Sequence, residues 1–239
     1  TTLAKTMDKF LVKKKKKRKG TEDDGKSESS SPSSKKAKST KYLFVVAPGA
    51  GGGDCKDLVE VLETLGRVST RKKWAGTFPS QMAGNVALLS EQSKAKTGEV
   101  VVYVGHSFGC RVIAELLKTR DAPAVFESYP LFGPTKPKTQ GTDRVAPLKA
   151  IPEARNVLVV AGSRDPFLSR EWLDPKEPRG IAALRAVLAE APCTSTLVDV
   201  QGAAHNVLKV AKSKQLATRG TLRAAVVAYL DGLHLPLEN

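Results

Sequence analysis

The sequence predicts an α/β fold, with a mainly parallel sheet and helices on both faces. Short, continuously apolar runs recur beyond residue 41, and such runs are typical of strands buried on both faces. Segments with apolar residues at helical spacing separate these runs, and this alternation favours a parallel sheet. With 239 residues, of which 41% are hydrophobic, the chain can bury a sizeable core in one large domain or two small ones.

The elements follow from these patterns in chain order. Five strands are predicted, at residues 42–47, 100–104, 124–128, 157–161 and 196–200. Helical spacing predicts helices near residues 58–65, 81–94, 112–117, 181–189 and 216–230. Five prolines between residues 129 and 152 indicate an irregular insertion over the sheet edge. We therefore expect a minimal cap, with residues 130–152 as its candidate specificity element.

The first forty-one residues carry most of the excess positive charge. They contain 14 Lys and Arg against 5 Asp and Glu, which is +9 of the chain's net charge of +15. Almost nothing between Gly20 and Lys41 is apolar, so this stretch cannot offset the entropy of ordering. We expect residues 1–40 to form a disordered basic and serine-rich tail, and residues 41–239 to form the folded domain.

A run of seven basic residues lies in this tail. It consists of Lys13, Lys14, Lys15, Lys16, Lys17, Arg18 and Lys19. Such a run is typical of a nuclear import signal, of a nucleic-acid contact, or of a solvated segment without a partner. No aromatic residues are interleaved with the lysines, which disfavours nucleic-acid recognition. We expect an import receptor as partner, and a nuclear or nucleo-cytoplasmic location.

A second short pattern precedes the basic run. The spacing of Met7, Phe10 and Leu11 resembles the box by which nuclear proteins dock on the DNA sliding clamp. Ala4 stands where that box usually has glutamine, and Leu11 replaces the second aromatic. The pattern indicates either a clamp-docking segment or the frayed end of a tail.

Composition also disfavours several classes of protein. No window approaches 18 consecutive apolar residues, so we expect no membrane span and no membrane partner. Gly20, acids and serines follow the basic run, which excludes a secretory signal peptide, and a chain that begins at Thr1 indicates a fragment or processed form.

An odd number of cysteines without metal-type spacing favours free thiols in a reducing compartment. They are Cys55, Cys110 and Cys193. We predict no cofactor and no metal.

Residues 105–109 read G-x-S-x-G, the pattern of a nucleophile elbow. The pattern alone is weak, but a buried strand enters it and an amphipathic helix leaves it. The strained turn requires glycine at Gly105 and Gly109, where side chains would collide with neighbouring backbone. Ser107 is therefore the candidate nucleophile; the alternative is a serine in an ordinary strand-to-helix loop.

A serine nucleophile needs a general base, and the chain has three histidines. His106 adjoins Ser107, and its side chain should point away from the hydroxyl. His234 lies in the C-terminal tail. His205 directly follows the strand at residues 196–200, at the sheet edge where Ser107 emerges. We select His205 as the base; the alternative is a loop histidine with a structural role.

The third residue must be an acid that orients the imidazole. Asp165 directly follows the strand at residues 157–161 and emerges at the same edge. Asp199 lies within a strand, whereas the other aspartates between Ser107 and His205 lie in polar loops, namely Asp121, Asp143 and Asp174. We select Asp165; the alternative is a capping or turn aspartate.

The developing oxyanion needs backbone donors. In this arrangement they are the N–H after the nucleophile, at Phe108, and one from the glycine-rich loop after the first strand, where Ala50 is the candidate. That loop, residues 48–53, could instead cradle a phosphate. It matches neither G-x-x-x-x-G-K-[ST] nor G-x-G-x-x-G, which disfavours nucleotide binding.

Four elements now agree in identity, order and sheet edge, and residues 41–239 resemble the α/β-hydrolase superfamily. More narrowly, the chain resembles the family of testis-expressed protein thirty and the third subunit of the non-specific-lethal histone acetyltransferase complex, which is itself similar to dienelactone hydrolases. The segments that carry this match are residues 48–52, 128–131 with Pro134, 161–165 and 203–205. Pro48 stands where these proteins usually have His, and His106 where they often have Arg.

The residues and the resemblance lead to one main expectation about function. We expect a serine hydrolase that acts on a small-molecule acyl substrate, an ester or thioester. The alternatives are a catalytically weak scaffold subunit of a nuclear or chromatin complex, and a clamp-associated accessory protein.

Overall fold

A six-stranded parallel sheet forms the centre of the protein. The computed structural model describes residues 41–52, 55–76, 79–133, 144–169 and 179–233. Its strands are β1 (Lys41–Ala47), β2 (Arg67–Thr70), β3 (Glu99–His106), β4 (Ala124–Glu127), β5 (Asn156–Gly162) and β6 (Thr194–Val200). They lie in the order β2-β1-β3-β4-β5-β6, and every neighbouring pair is parallel. The predicted tail and His234 lie outside the described residues.

Helices connect the strands across both faces of the sheet. They are α1 (Lys56–Glu63), α2 (Met82–Gln92), α3 (Phe108–Leu117), α4 (Ala146–Lys149), α5 (Ile181–Glu190) and α6 (Lys212–Asp231). Short 3₁₀ turns span Pro79–Gln81 and Pro166–Leu168. In the described ranges, no helix combines the length and the apolar character that crossing a membrane requires. The predicted fold class is confirmed.

The two faces of the sheet are buried in two separate cores. Leu43 and Val45 of β1 pack in the core that contains residues of α2, α3 and α5. Phe44 and Val46 point to the opposite face, in the core that contains residues of α1 and α6. Because successive strand residues alternate between faces that are both apolar, β1 shows no polar alternation in its sequence.

Strand β2 was missed by the sequence analysis. It is only four residues long and lies at the edge of the sheet, beside β1. Arg67 and Thr70 are exposed, and Val68 and Ser69 are half-buried. A short edge strand of this kind buries little, so it lacks the apolar run that marks the central strands.

The proline-rich segment after β4 differs from the expected insertion over the sheet edge. Tyr129, Leu148 and Ile151 have no exposed surface and belong to the core that contains α3. The Tyr129 hydroxyl donates to the carbonyl of Arg144 at 2.8 Å. The described ends of the segment are therefore built into the core, whereas residues 134–143 lie outside the described ranges.

The carboxyl ends of the central strands meet at one edge. The register pairs Ala47 of β1 with Gly105 of β3, and His106 of β3 with Glu127 of β4. Gly162 of β5 pairs with Val200 of β6. Side chains that follow these strands therefore share one region, which is where ligands bind in parallel α/β sheets.

Candidate active site

Ser107 lies in the sharp turn between β3 and α3. Its φ is 52°, in the left-handed region that non-glycine residues rarely adopt. Its N–H donates to the carbonyl of Glu127 at 3.0 Å, and its carbonyl accepts from the N–H of Cys110 at 3.1 Å. The side chain does not cap α3, so its hydroxyl is available for another partner.

The glycines of this turn are required by close approaches of the backbone. A Cβ at Gly109 would lie 2.1 Å from the carbonyl oxygen of Ala47. A Cβ at Gly105 would lie 2.6 Å from the backbone nitrogen of Cys110. The collisions expected from the sequence are therefore present, and the glycines allow α3 to pack against the end of β1.

Ser107, His205 and Asp165 form a continuous hydrogen-bonded row. The Oγ atom of Ser107 lies 2.8 Å from Nε2 of His205. Nδ1 of His205 lies 2.9 Å from Oδ2 and 3.0 Å from Oδ1 of Asp165. With the imidazole proton on Nδ1, His205 donates to Asp165 and accepts the hydroxyl proton of Ser107. The structure therefore brings together the three side chains selected from the sequence.

Asp165 makes both of the contacts that the sequence analysis treated as alternatives, one with a turn N–H and one with His205. Its carboxylate caps the 3₁₀ turn that follows β5 by accepting the N–H of Phe167 at 2.8 Å. It also binds His205, and it is only 3% exposed. The Phe167 ring also packs against the His205 ring, with ring centroids 4.2 Å apart. Capping thus fixes the carboxylate that holds the imidazole.

The other aspartates have different partners or lie outside the described ranges. Asp121 forms an ion pair with Arg155, with a nitrogen-to-oxygen distance of 3.0 Å. Asp199 accepts from the side chain of Gln201 at 2.5 Å. Asp143 and Asp174 are among the residues that the structure does not describe.

The glycine-rich loop after β1 forms a turn against the elbow. The N–H of Gly52 donates to the carbonyl of Gly49 at 3.1 Å. A Cβ at Gly49 would lie 3.6 Å from Cβ of Ser107, so the loop and the elbow are in contact. Ala50 occupies the exposed second position of the turn. Phe108 is the first residue of α3, where backbone N–H groups lack helical acceptors. Their roles as oxyanion donors stay predictions.

Trp74 holds this loop, a contact that the sequence did not reveal. Its indole N–H lies 3.1 Å from the carbonyl of Pro48 and 3.3 Å from that of Gly49. Its ring meets the Phe108 ring edge to face, with centroids 5.7 Å apart. Trp74 therefore connects the glycine-rich loop to the first turn of α3.

Glu127 is the second residue that the sequence analysis missed. It ends β4 and is 2% exposed. Its side chain bonds Nδ1 of His106 and accepts the N–H of Val207 at 2.8 Å. The His106 imidazole thus bonds Glu127, whereas the Ser107 hydroxyl bonds His205. The available signal for Glu127 was a carboxylate at the end of an apolar strand, β4, which lies beside the strand that leads into the nucleophile elbow.

Cys110 is a buried thiol one turn into α3. It donates to the carbonyl of Gly105 at 3.1 Å. Burial, together with the charge of Glu127, raises the pKa of the Cys110 thiol well above its ordinary value. The thiol therefore stays protonated at neutral pH, and it does not compete with Ser107 as a nucleophile.

A partly open cavity of about 310 Å³ lies beside this site. It extends between the glycine-rich loop, the start of α1 and the loop after His205, and its lining includes Lys56, His106 and Lys209. Across the described residues, no group of three or more His, Cys, Asp or Glu side chains is arranged to hold a metal ion. The described side chains offer a hydroxyl, an imidazole and a carboxylate for nucleophilic and acid–base chemistry.

A parallel sheet of this order, with a serine on a strained turn at its carboxyl edge, defines an α/β hydrolase fold. The family model described as "Alpha/beta hydrolase domain" matches residues 67–222. The chain belongs to this family. A search of curated proteins found no significant sequence match to this chain.

Solved structures show the same fold at low sequence identity. A serine hydrolase homologue from Coxiella burnetii is 17% identical, with a TM-score of 0.55, covering 82% of this chain and 88% of that one. Est1E from Butyrivibrio proteoclasticus is 13% identical, with a TM-score of 0.53 and coverages of 82% and 90%. Dienelactone hydrolase from Anabaena variabilis is 14% identical, with a TM-score of 0.52 and coverages of 80% and 88%.

These comparisons agree with the broader of the two resemblances. The α/β-hydrolase superfamily is confirmed, and a dienelactone hydrolase is among the structural neighbours. The narrower resemblance, to the family of testis-expressed protein thirty and the histone acetyltransferase subunit, stays a prediction.

Proposed function

We propose that the protein is a serine hydrolase of carboxylic esters or thioesters. The observation that carries this proposal is the hydrogen-bonded row from Ser107 through His205 to Asp165, with oxygen-to-nitrogen distances of 2.8 to 3.0 Å. In this row a base lies within reach of the nucleophile, and an acid orients the base. The positive φ of Ser107 adds support, since strained backbone of this kind occurs at functional sites.

The first half of the reaction forms an acyl-enzyme. Oγ of Ser107 attacks the carbonyl carbon while Nε2 of His205 takes the hydroxyl proton. Asp165 stabilises the imidazolium through the bond to Nδ1. In this scheme the backbone N–H groups of Ala50 and Phe108 stabilise the oxyanion. His205 then gives its proton to the departing alkoxide or thiolate, and the alcohol or thiol leaves.

The second half releases the acid product. Water attacks the acyl carbon of the Ser107 ester while His205 accepts one of its protons. The tetrahedral intermediate collapses, the bond to Oγ of Ser107 breaks, and His205 returns the proton to that oxygen. The carboxylic acid leaves, and the enzyme is restored.

A fluorophosphonate probe tests the proposal, because it reacts covalently with an activated serine. We expect the full chain to be labelled, and Ser107→Ala to lose at least about 100-fold of the labelling rate, as the nucleophile is absent. Ser213→Ala is the matched control, since Ser213 is exposed on α6, and it should label like the wild type. Gel fluorescence measures the rates.

The absence of labelling in the folded wild-type protein would contradict the proposal. If the wild-type protein folds, as judged by a thermal melt, and is not labelled, the hydrolase proposal fails. The two alternatives then remain, namely a hydrolase-like scaffold subunit of a nuclear or chromatin complex and a clamp-associated accessory protein.

We further propose that the basic run at residues 13–19 directs nuclear import. Deleting residues 1–40 should move a tandem fluorescent fusion, too large for passive diffusion, from the nucleus to the cytoplasm. The reason is that the deletion removes seven adjacent cationic side chains that an import receptor can bind. Microscopy of both fusions measures the ratio of nuclear to cytoplasmic fluorescence.

A matched variant and a melt complete this test. Replacing Lys35, Lys36 and Lys38 by Gln removes three charges outside the run, and it should leave the fusion nuclear. The melting temperature should change little on deletion, because the tail has few apolar groups to bury. Equal nuclear accumulation with and without residues 1–40 would remove the import proposal.

A further inference from the structure

We propose that His106 and Glu127 form a charge-balanced pair that positions His205 and keeps the negative charge of Glu127 from acting on it. The two are positioning residues, which act through His205 rather than on the substrate. The consequence for turnover rests on the proposed hydrolase function, whereas the effect on the titration of His205 does not.

Glu127 connects the loops that carry the nucleophile and the base. One side-chain oxygen accepts the N–H of Val207, two residues after His205, at 2.8 Å. The other bonds Nδ1 of His106, the residue before Ser107. The backbone carbonyl of Glu127 also accepts the N–H of Ser107. A single residue at the end of β4 therefore holds both partners of the 2.8 Å contact between Ser107 and His205.

Strain and burial fix the orientation of this carboxylate. Ser128, which follows it, has a φ of 60°; in the part of the chain described here, it and Ser107 are the two non-glycine residues with positive φ. The Ser128 N–H donates to the carbonyl of Val160 at 2.8 Å, so the strained turn is held by β5. Because Glu127 is nearly inaccessible to water, its charge requires protein partners.

His106 lies between the glycine-rich loop and His205. A Cβ at Gly49 would lie 3.3 Å from Cδ2 of His106, so the imidazole packs directly against that loop. The ring centroids of His106 and His205 are 5.4 Å apart. The His106 side chain is 16% exposed and lines the neighbouring cavity, which gives it a route for proton exchange. A positive charge on His106 would therefore lie close to His205.

The environment of His106 favours its protonated form, which has the charge opposite to that of Glu127. Burial acts against the imidazolium, but the charge and hydrogen bond of Glu127, with the charge of Asp165, outweigh it and raise the pKa of His106. Lys209 acts in the lowering direction. The ionisable groups that face the pair or line its cavity are Asp165, His205, Lys209, Cys110, Cys55, Lys56 and Asp57. The imidazolium and the carboxylate together carry no net charge.

The charge balance between His106 and Glu127 determines in which direction the titration of His205 should change when one partner is lost. Without the His106 imidazolium, the buried carboxylate of Glu127 is uncompensated beside the loop of His205. A negative charge nearby favours the protonated imidazole. Protonated His205 could not accept the proton of Ser107 in the proposed mechanism, so loss of the His106 imidazolium should move the acid limb of activity to higher pH.

Histidine NMR tests the pair directly, because the chain has only three histidines. In His106→Gln, an amide donor replaces the imidazolium, and the titration midpoint of His205 should rise by about one pH unit. In the double variant His106→Gln/Glu127→Gln both partners are neutral amides, and the midpoint of His205 should return close to the wild-type value. An unchanged midpoint in His106→Gln overturns the proposal.

Glu127→Gln gives an independent result that does not need the first variant to fold. Its amide oxygen can still accept the Val207 N–H, but the charge is lost. The midpoint of His106 should fall, since Glu127 contributes much of what raises it. A midpoint of His106 equal to that of the wild type would overturn the pair even if His106→Gln were unfolded.

The same variants separate this inference from the proposed function. If the fluorophosphonate labels Ser107, the acid limb of labelling rate against pH should shift upward in His106→Gln, so that the rate falls by a larger factor at low pH than at high pH. A merely structural role would lower the rate at every pH. If the wild type is not labelled at all, the hydrolase proposal fails, and the NMR titrations still decide whether the pair exists.

Discussion

Ser107→Ala and His205→Ala should each lower kcat/KM for an activated aryl ester by about three orders of magnitude or more. The double variant should be little worse than either single variant. In the proposed mechanism both side chains serve one step, in which the proton leaves Oγ of Ser107 as the carbon–oxygen bond forms. Loss of either one removes that step, so the second loss has little left to remove. Steady-state hydrolysis of p-nitrophenyl acetate measures the effect.

Two controls exclude other causes for the loss of activity. Melting temperatures of the three variants should stay near that of the wild type, because the side chains lie at the sheet edge rather than in either core. Ser213→Ala provides the activity control. Losses that multiply in the double variant would mean that Ser107 and His205 act independently, and the shared proton transfer would be wrong.

Gly109→Ala should destabilise the fold by about 3 kcal/mol, through overpacking where α3 meets β1. The added Cβ would lie 2.1 Å from the carbonyl oxygen of Ala47 and 2.8 Å from that of Pro48. Both are backbone atoms, which cannot rotate away as a side chain would. The helix must therefore move away from the strand. Urea denaturation measures the loss in the free energy of unfolding.

Gly220→Ala is the matched control for this substitution. Gly220 is exposed within α6, and a Cβ there would meet nothing within 4 Å. Alanine inside a helix is favoured over glycine by about 0.5 to 1 kcal/mol, so stability should rise. If the two substitutions changed stability in the same direction, the close approach of Gly109 to Ala47 would not be the cause.

The elements that the sequence predicts well are those buried on both faces. The run at residues 42–47 matches β1, and the run at 157–161 lies within β5, because a central parallel strand is apolar at every position. The same patterns locate the site. Asp165 and His205 follow the ends of strands β5 and β6, and parallel strands bring those ends to one edge.

The parts that sequence patterns missed depend on contacts between distant segments. Glu127 reaches Val207 across 80 positions, and Trp74 reaches Pro48 across 26. Neither side chain belongs to a short sequence motif, and the local sequence around each is equally compatible with a surface strand or a surface loop. Strand β2 is recognisable only through its pairing with β1. Such features depend on the assembled tertiary structure, which local periodicity does not encode.

The hydrogen-bonded row links parts of the chain that are far apart in sequence. Ser107 and His205 are separated by 98 positions, and His205 and Asp165 by 40. The loop that carries His205 follows β6, which comes last in chain order among the described strands. If Ser107 is the nucleophile and His205 its base, a growing chain contains the serine long before the base, and Ser107 should stay unreactive until β6 has docked beside β5. On the proposed function, reactivity of Ser107 would therefore report that β3, β5 and β6 have been assembled into one sheet.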